Sequence, residues 1–208
     1  MPRRFPALLC LLCACLALGC GAWKRFGYEG FSRDGWQQPD QVLRLLEISP
    51  GDRVADIGAG GGYFSFRFAD AVGAEGRVFA VDVDDDMLEY LTGRVADEGR
   101  TNVEVVRGAF EDPQLPDGEI DLVFLSNTYH HIQDRPDYFR GVLGDLSPRG
   151  RVAIVELDDR SWFPRTFGHY SEPDAIVREM EAAGYVRVAD HAILERQSFQ
   201  IFAPTKGG

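Results

Sequence analysis

Four glycines fall within five residues, Gly58, Gly60, Gly61 and Gly62, directly after the apolar run Val54-Ala55-Asp56-Ile57. Residues without a Cβ let the backbone approach a ligand closely, and a turn of this kind aims the N-terminus of the following helix at it. Gly58 to Gly62, Ala59 included, should therefore line a binding site that Asp56 enters from the preceding run. Asp82 ends a second apolar run and is followed by Val83. A carboxylate there accepts two hydroxyl protons at once, which suits a ribose. A third group is Ser126-Asn127-Thr128-Tyr129-His130-His131. Unperturbed histidines titrate near neutrality, so His130 and His131 are candidate general bases; the competing reading has one capping a turn and the other packing under a helix.

These residues need a scaffold, and the hydrophobic pattern specifies one. Strands are expected at Arg53–Ile57, Arg77–Asp82, Val103–Arg107, Ile120–Ser126 and Arg151–Glu156. Between them run helical stripes: Phe64, Phe68 and Val72, then Leu88, Leu91 and Val95, then Phe139, Val142, Leu143 and Leu146. Strands separated by helices of this length pair in parallel through crossovers, with helices on both faces. Ser171 and Asp174 open a further helix that Gly184 ends. Tyr185 to Pro204 has two extended runs with no room for a helix between them, which predicts an antiparallel hairpin at the sheet edge. The expected fold is thus a doubly wound, Rossmann-like α/β domain, with a mostly parallel seven-stranded sheet and an antiparallel C-terminal hairpin. Such sheets bind ligands at the carboxyl ends of their strands, where the glycines fall.

The glycine turn argues against two ligands. A dinucleotide fingerprint needs a third glycine where Tyr63 stands, and a phosphate-binding loop needs a Gly-Lys pair, yet no lysine occurs between Lys24 and Lys206. What remains, Asp56-Ile57-Gly58-Ala59-Gly60-Gly61-Gly62, resembles the acid-x-Gly-x-Gly-x-Gly motif of the class I S-adenosylmethionine-dependent methyltransferases. Asp82 stands where that family keeps an acid for the ribose. Arg107 to Asp134 is similar to its adenine-side loop and fourth strand, and Leu146 to Glu156 to its turn into the fifth strand. The resemblance covers Gln37 to about Pro204 and is closest to the group that includes the ubiquinone and menaquinone C-methyltransferases.

It implies an S-adenosylmethionine site of Asp56, Gly58, Ala59, Gly60, Gly62, Asp82, Val83, Ala109, Phe110 and Ser126. It also implies in-line methyl transfer to a small-molecule or lipid-like acceptor. Ala109-Phe110 departs from the family, whose members often hold the adenine amine with Asp or Asn here; Glu111 or Asp112 could substitute, with Phe110 stacking on the base. Tyr63 and Phe64 could face a sulfonium cation, although Phe64 lies in the helical stripe. Glu156 and His169-Tyr170 are further rim candidates. Two other readings stay open: a non-catalytic lipoprotein that keeps the cofactor fold, and a nicotinamide-dependent oxidoreductase, which Tyr63 disfavours.

The first nineteen of the 208 residues carry Arg3 and Arg4, an apolar stretch and a small residue before Cys20. That is the grammar of a lipoprotein signal, with Cys20 as the acylated residue and membrane anchor in a bacterial envelope; a misassigned start would leave the chain cytoplasmic. Residues 20–36 then read as a tether or aromatic lid, with Tyr28, Phe31 and Trp36 as roof residues, and 37–208 as the methyltransferase domain. All four cysteines, Cys10, Cys13, Cys15 and Cys20, lie in the leader, so the domain holds no disulfide, thiolate metal site or cysteine nucleophile, and no metal site is expected. The net charge of −11, with no Lys/Arg run, argues against nucleic acid as a partner.

Overall fold

The computed structural model describes residues 33–160 and 170–205. Cys20, the leader, Tyr28, Phe31 and His169 lie outside them. Within the compact unit Ser32–Gly208 the chain opens with two short helices, α1 (Arg33–Gln37) and α2 (Pro39–Leu46). There follow β1 (Arg53–Ile57), α3 (Ser65–Val72), β2 (Arg77–Asp82), α4 (Asp85–Asp97), β3 (Val103–Arg107) and β4 (Ile120–Ser126). A 3₁₀ turn (Tyr129–His131) leads to α5 (Arg135–Val142), β5 (Leu146–Leu157), α6 (Pro173–Ala182), β6 (Tyr185–Asp190) and β7 (Gln197–Pro204). None of the described helices is long and apolar enough to cross a membrane.

The seven strands form one sheet in the order β3-β2-β1-β4-β5-β7-β6. Strands β1 to β5 pair in parallel, and β7 runs antiparallel to both β5 and β6. The expected hairpin is present with one refinement: β6 is the edge, and β7 lies inside the sheet between β5 and β6. Two further expectations are corrected. Leu146 does not extend the α5 stripe but opens β5, buried and paired with Ile120 ahead of an irregularity in the register. Ser171 does not cap α6; Glu172 holds that position without a side-chain bond and Pro173 begins the helix, its fixed φ suiting a first helical turn.

Alternation along the strands separates two apolar layers. Val54, Val78, Leu122, Phe124 and Val155 face α2, α3 and α4, meeting Val42, Leu46, Phe64, Phe68 and Leu91. Ala55, Ile57, Val123, Leu125 and Ile154 face α5 and α6, meeting Tyr138, Phe139, Ile176 and Met180. In the first layer Phe124 lies 4.7 Å from Phe64 and 5.0 Å from Phe68, ring centre to centre. Each such buried ring contributes about 1.5–3 kcal/mol. Phe64 is therefore a core residue and presents no face to a bound cation.

Candidate active site

At the carboxyl end of β1 the glycine turn takes conformations that side chains resist. Gly58, Gly60 and Gly62 have φ of 75°, 52° and 81°. A Cβ on Gly58 would fall 2.2 Å from Thr128 Oγ1, and one on Gly62 would fall 2.5 Å from the Phe66 ring and 2.7 Å from Leu91 Cδ1. The turn is thus pressed between α3 and α4 on one side and the loop after β4 on the other. The backbone N–H groups of Gly58 and Ala59 donate to Val81 O, tying the turn to β2.

Asp82 secures the same turn from the end of β2. Its Oδ2 accepts from Gly60 N at 2.8 Å, and its Oδ1 accepts from Val83 N at 2.8 Å and Asp84 N at 3.0 Å. Asp84 in turn caps α4, accepting from Asp86 N and Met87 N. Asp82 is half-buried at the rim, with Val83 beside it 42% exposed. Phe110, in the loop after β3, is 67% exposed, more than any other large hydrophobic side chain among the described residues. Ala109 N donates to Asp112 O, and Asp112 Oδ1 accepts from Gln114 N. Asp112 thereby closes a turn of its own.

Asp56 is buried on the α3 side of the sheet and accepts a 2.6 Å hydrogen bond from Ser65 Oγ. Burial raises its pKa to about 6, against the lowering effects of the Ser65 bond and of Arg33. Arg33 of α1 is itself lowered by burial and stacks over Tyr63, 4.0 Å from the ring centre, with Arg67 at 4.1 Å. Tyr63 also bonds Asp34. Its ring therefore meets guanidinium groups of this chain.

The loop after β4 joins the cofactor side to the far half of the sheet. Ser126 Oγ accepts from Gln37 Nε2 at 3.2 Å, and Gln37 Oε1 accepts from Arg33 Nε. Asn127, left-handed at φ 54°, accepts at Oδ1 from Gln197 Nε2 of β7 at 2.9 Å. Thr128 covers Gly58. Tyr129 is buried and donates to Glu179 Oε2 at 2.7 Å, where Arg135 also binds. His130 Nδ1 lies 2.9 Å from Glu156 Oε1, and its backbone N–H donates to Glu156 Oε2 at 3.3 Å. Glu156, fully buried at the end of β5, also accepts from Leu157 N. A buried group of this kind needs its partners, and leaving one of its hydrogen bonds unmade costs about 1–3 kcal/mol. The exposed His131 ring packs on His130 with centres 4.0 Å apart. Tyr170 is half-buried beyond Asp158 and contributes no described bond to the site.

Arg33, Gln37, Thr128 and Gln197 were not singled out by sequence reasoning. Gln197 Oε1, Ser198 Oγ and Gln200 Oε1 are buried without a hydrogen-bond partner, and leaving one such atom bare costs about 1–3 kcal/mol. Among the described residues, no group of three or more His, Cys, Asp or Glu side chains is placed to hold a metal ion.

The doubly wound order, the glycine cradle after β1 and the acid ending β2 define the fold and cofactor site of a class I methyltransferase. Residues 48–204 match the family model described as "Methyltransferase domain", and the chain belongs to that family. It is similar to the "Ubiquinone/menaquinone biosynthesis C-methyltransferase UbiE" of Ectopseudomonas mendocina, 32% identical over 136 residues, covering 65% of this chain and 47% of that protein. The protein of the same name in Azotobacter vinelandii is 29% identical over 140 residues, covering 67% and 49%. The chain thus spans about half the length of these relatives. Among solved structures, a SAM dependent methyltransferase from Aquifex aeolicus superposes with a TM-score of 0.76 at 24% identity, over 85% of this chain and 94% of that one. The trans-methyltransferase CalH, in complex with SAH, gives 0.63 at 18%, over 80% and 55%.

S-adenosylmethionine is the cofactor, and the residues present fit it. The cradle at Gly58 and Gly62 has no room for side chains, Asp82 offers carboxylate lone pairs at the rim, and Val83 after β2 and Phe110 after β3 expose apolar surface.

Proposed function

We propose that the protein transfers the methyl group of S-adenosylmethionine to a small-molecule or lipid-like acceptor, and that His130, oriented by Glu156, removes the acceptor's proton. The similarity to C-methyltransferases of quinone biosynthesis supports a hydroxylated aromatic ring, of quinol type, as the acceptor class. One observation carries the reading: Thr128 closes on Gly58 while His130, two residues on, is gripped by Glu156. The loop that closes on the cradle therefore also carries a candidate base.

When bound, the cofactor supplies an electrophilic methyl on a sulfonium, so the protein's task is chiefly alignment. The glycine turn and Asp82 hold the donor side. With Nδ1 donating to Glu156, His130 carries its lone pair on Nε2, the nitrogen that takes the proton of an acceptor hydroxyl. Glu156 stabilises the imidazolium that results.

The test is formation of S-adenosylhomocysteine from S-adenosylmethionine, followed by mass spectrometry, with reduced naphthoquinols, simple phenols and amines offered as acceptors. Turnover with a quinol should fall at least 100-fold in His130→Ala, and in Glu156→Gln the kcat–pH profile should shift. Cofactor binding without turnover of any acceptor would favour the non-catalytic reading. We further propose lipid anchoring at Cys20, on the leader's pattern alone; an intact Met1 or Pro2 in the native protein's mass spectrum would refute it.

A further inference from the structure

We propose that the head of β7, Gln197-Ser198-Phe199-Gln200, is the acceptor-recognition element, with Gln197 Oε1 accepting a hydrogen bond from an uncharged O–H or N–H group of the acceptor. This rests on the methyl-transfer reading and specifies its substrate class further.

Four buried side-chain nitrogen or oxygen atoms among the described residues have no hydrogen-bond partner, and three are in this segment: Gln197 Oε1, Ser198 Oγ and Gln200 Oε1. The fold does not ask for polarity there. β7 is flanked by β5 and β6, and its continuation Ile201-Phe202 is apolar and buried. Burying three unpaired oxygens in an interior strand is unfavourable unless something else pairs with them. Departures of this kind gather at functional sites.

The position fits an acceptor. Gln197 opposes Leu157 and Ser198 opposes Glu156, at the carboxyl end of β5. The amide of Gln197 is aimed by Asn127, whose left-handed backbone belongs to the same loop that covers Gly58 with Thr128 and carries His130. Donor cradle, base and β7 head are thus joined within five residues of chain, Ser126 to His130.

The chemistry selects a neutral donor. Ser198 and Gln200 lie on the opposite face of β7 from Gln197, whose amide oxygen can only accept; the facing strand and its continuation carry two buried carboxylates, Glu156 and Asp158. The Arg160 guanidinium is taken up by the Asp158 carboxylate and Gln197 O. A carboxylate or phosphate brought here would meet like charge and bare carbonyl oxygen, whereas a hydroxyl or N–H satisfies the site.

The experiment is anaerobic calorimetry on the protein loaded with S-adenosylhomocysteine, using three probes: 1,4-dihydroxynaphthalene, its dimethyl ether and 1,4-dihydroxy-2-naphthoate. The neutral quinol should bind at least about tenfold tighter than the other two, the worth of one well-made hydrogen bond. Gln197→Met should weaken the quinol about tenfold and leave the ether and S-adenosylhomocysteine unchanged. Equal binding of quinol and ether would mean that these oxygens hold only water, and would overturn the proposal. So would an undiminished quinol preference in Gln197→Met, or no binding of any probe to a protein that still binds S-adenosylhomocysteine. The wild-type probe comparison stands alone where Gln197→Met does not fold. Failure of wild type to bind S-adenosylhomocysteine would instead refute the methyl-transfer reading beneath it.

Discussion

Asp56→Asn tests whether the acid of the glycine motif costs the fold stability. The carboxyl is fully enclosed, and burial raises its pKa from the ordinary 3.8 to about 6. A raised carboxyl pKa means that the folded state disfavours the charge. The cost is absent below the unfolded pKa, grows as pH rises from about 4 to 6, and is constant above that. At 1.36 kcal/mol per pKa unit the full cost is about 3 kcal/mol, of which about 2 kcal/mol accrues between pH 4.5 and pH 7.5. Asn keeps an oxygen that accepts from Ser65 and carries no charge at either pH. Urea denaturation of both proteins at the two pH values gives a double difference in which other effects of Asn cancel. The variant should gain about 2 kcal/mol relative to wild type on going from pH 4.5 to 7.5, or about 4–8 °C in Tm. A difference near zero would show that Arg33 and the Ser65 bond compensate the buried charge in full, and the burial argument would fail.

Three further substitutions test the cradle, a glycine away from it and Phe110. Gly62→Ala should destabilise by about 2–5 kcal/mol and abolish S-adenosylmethionine binding, because its Cβ meets Phe66 and Leu91 at a φ of 81°. Gly99→Ala, left-handed but with open space around it, should cost only about 1–2 kcal/mol in the same urea titration. Phe110→Ala should leave stability within about 0.5 kcal/mol, since the ring is exposed, yet raise the S-adenosylmethionine Kd about tenfold by calorimetry. An unchanged Kd would remove Phe110 from the site.

The strands and glycine turn were legible because their signals are local. β1 to β4 lie where apolar runs predicted, and the positive φ values at Gly58, Gly60 and Gly62 follow from residue type. Leu146 misled because its spacing from Phe139 and Val142 continues a helical stripe, while the pairing with Ile120 that makes it a strand residue is long-range. The β7 head was hidden for a related reason. Gln197-Ser198-Phe199-Gln200 reads as the polar-faced start of an edge strand, where Ser and Gln would meet water. Successive side chains of β7 point to opposite faces of the sheet whatever its neighbours, and what buries these is the packing on both faces, which is not written in any single segment.

The same limit explains why His130 was visible and its role was not. A histidine pair after a fourth strand is a local feature, but what makes one ring a base is the carboxylate that holds its Nδ1, and Glu156 is 26 residues away on a neighbouring strand. β4 and β5 pair in parallel, with Ser126 opposite Val155, which brings the residue after Val155 to the mouth of the loop that carries His130. In the other direction that loop reaches Gly58 because β1 is the opposite neighbour of β4, in register from Val54 with Leu122 to Ile57 with Leu125. The central strand thus sets both spacings at once. A change that slips β4 against either neighbour would separate donor cradle from base even if every residue of the site were kept.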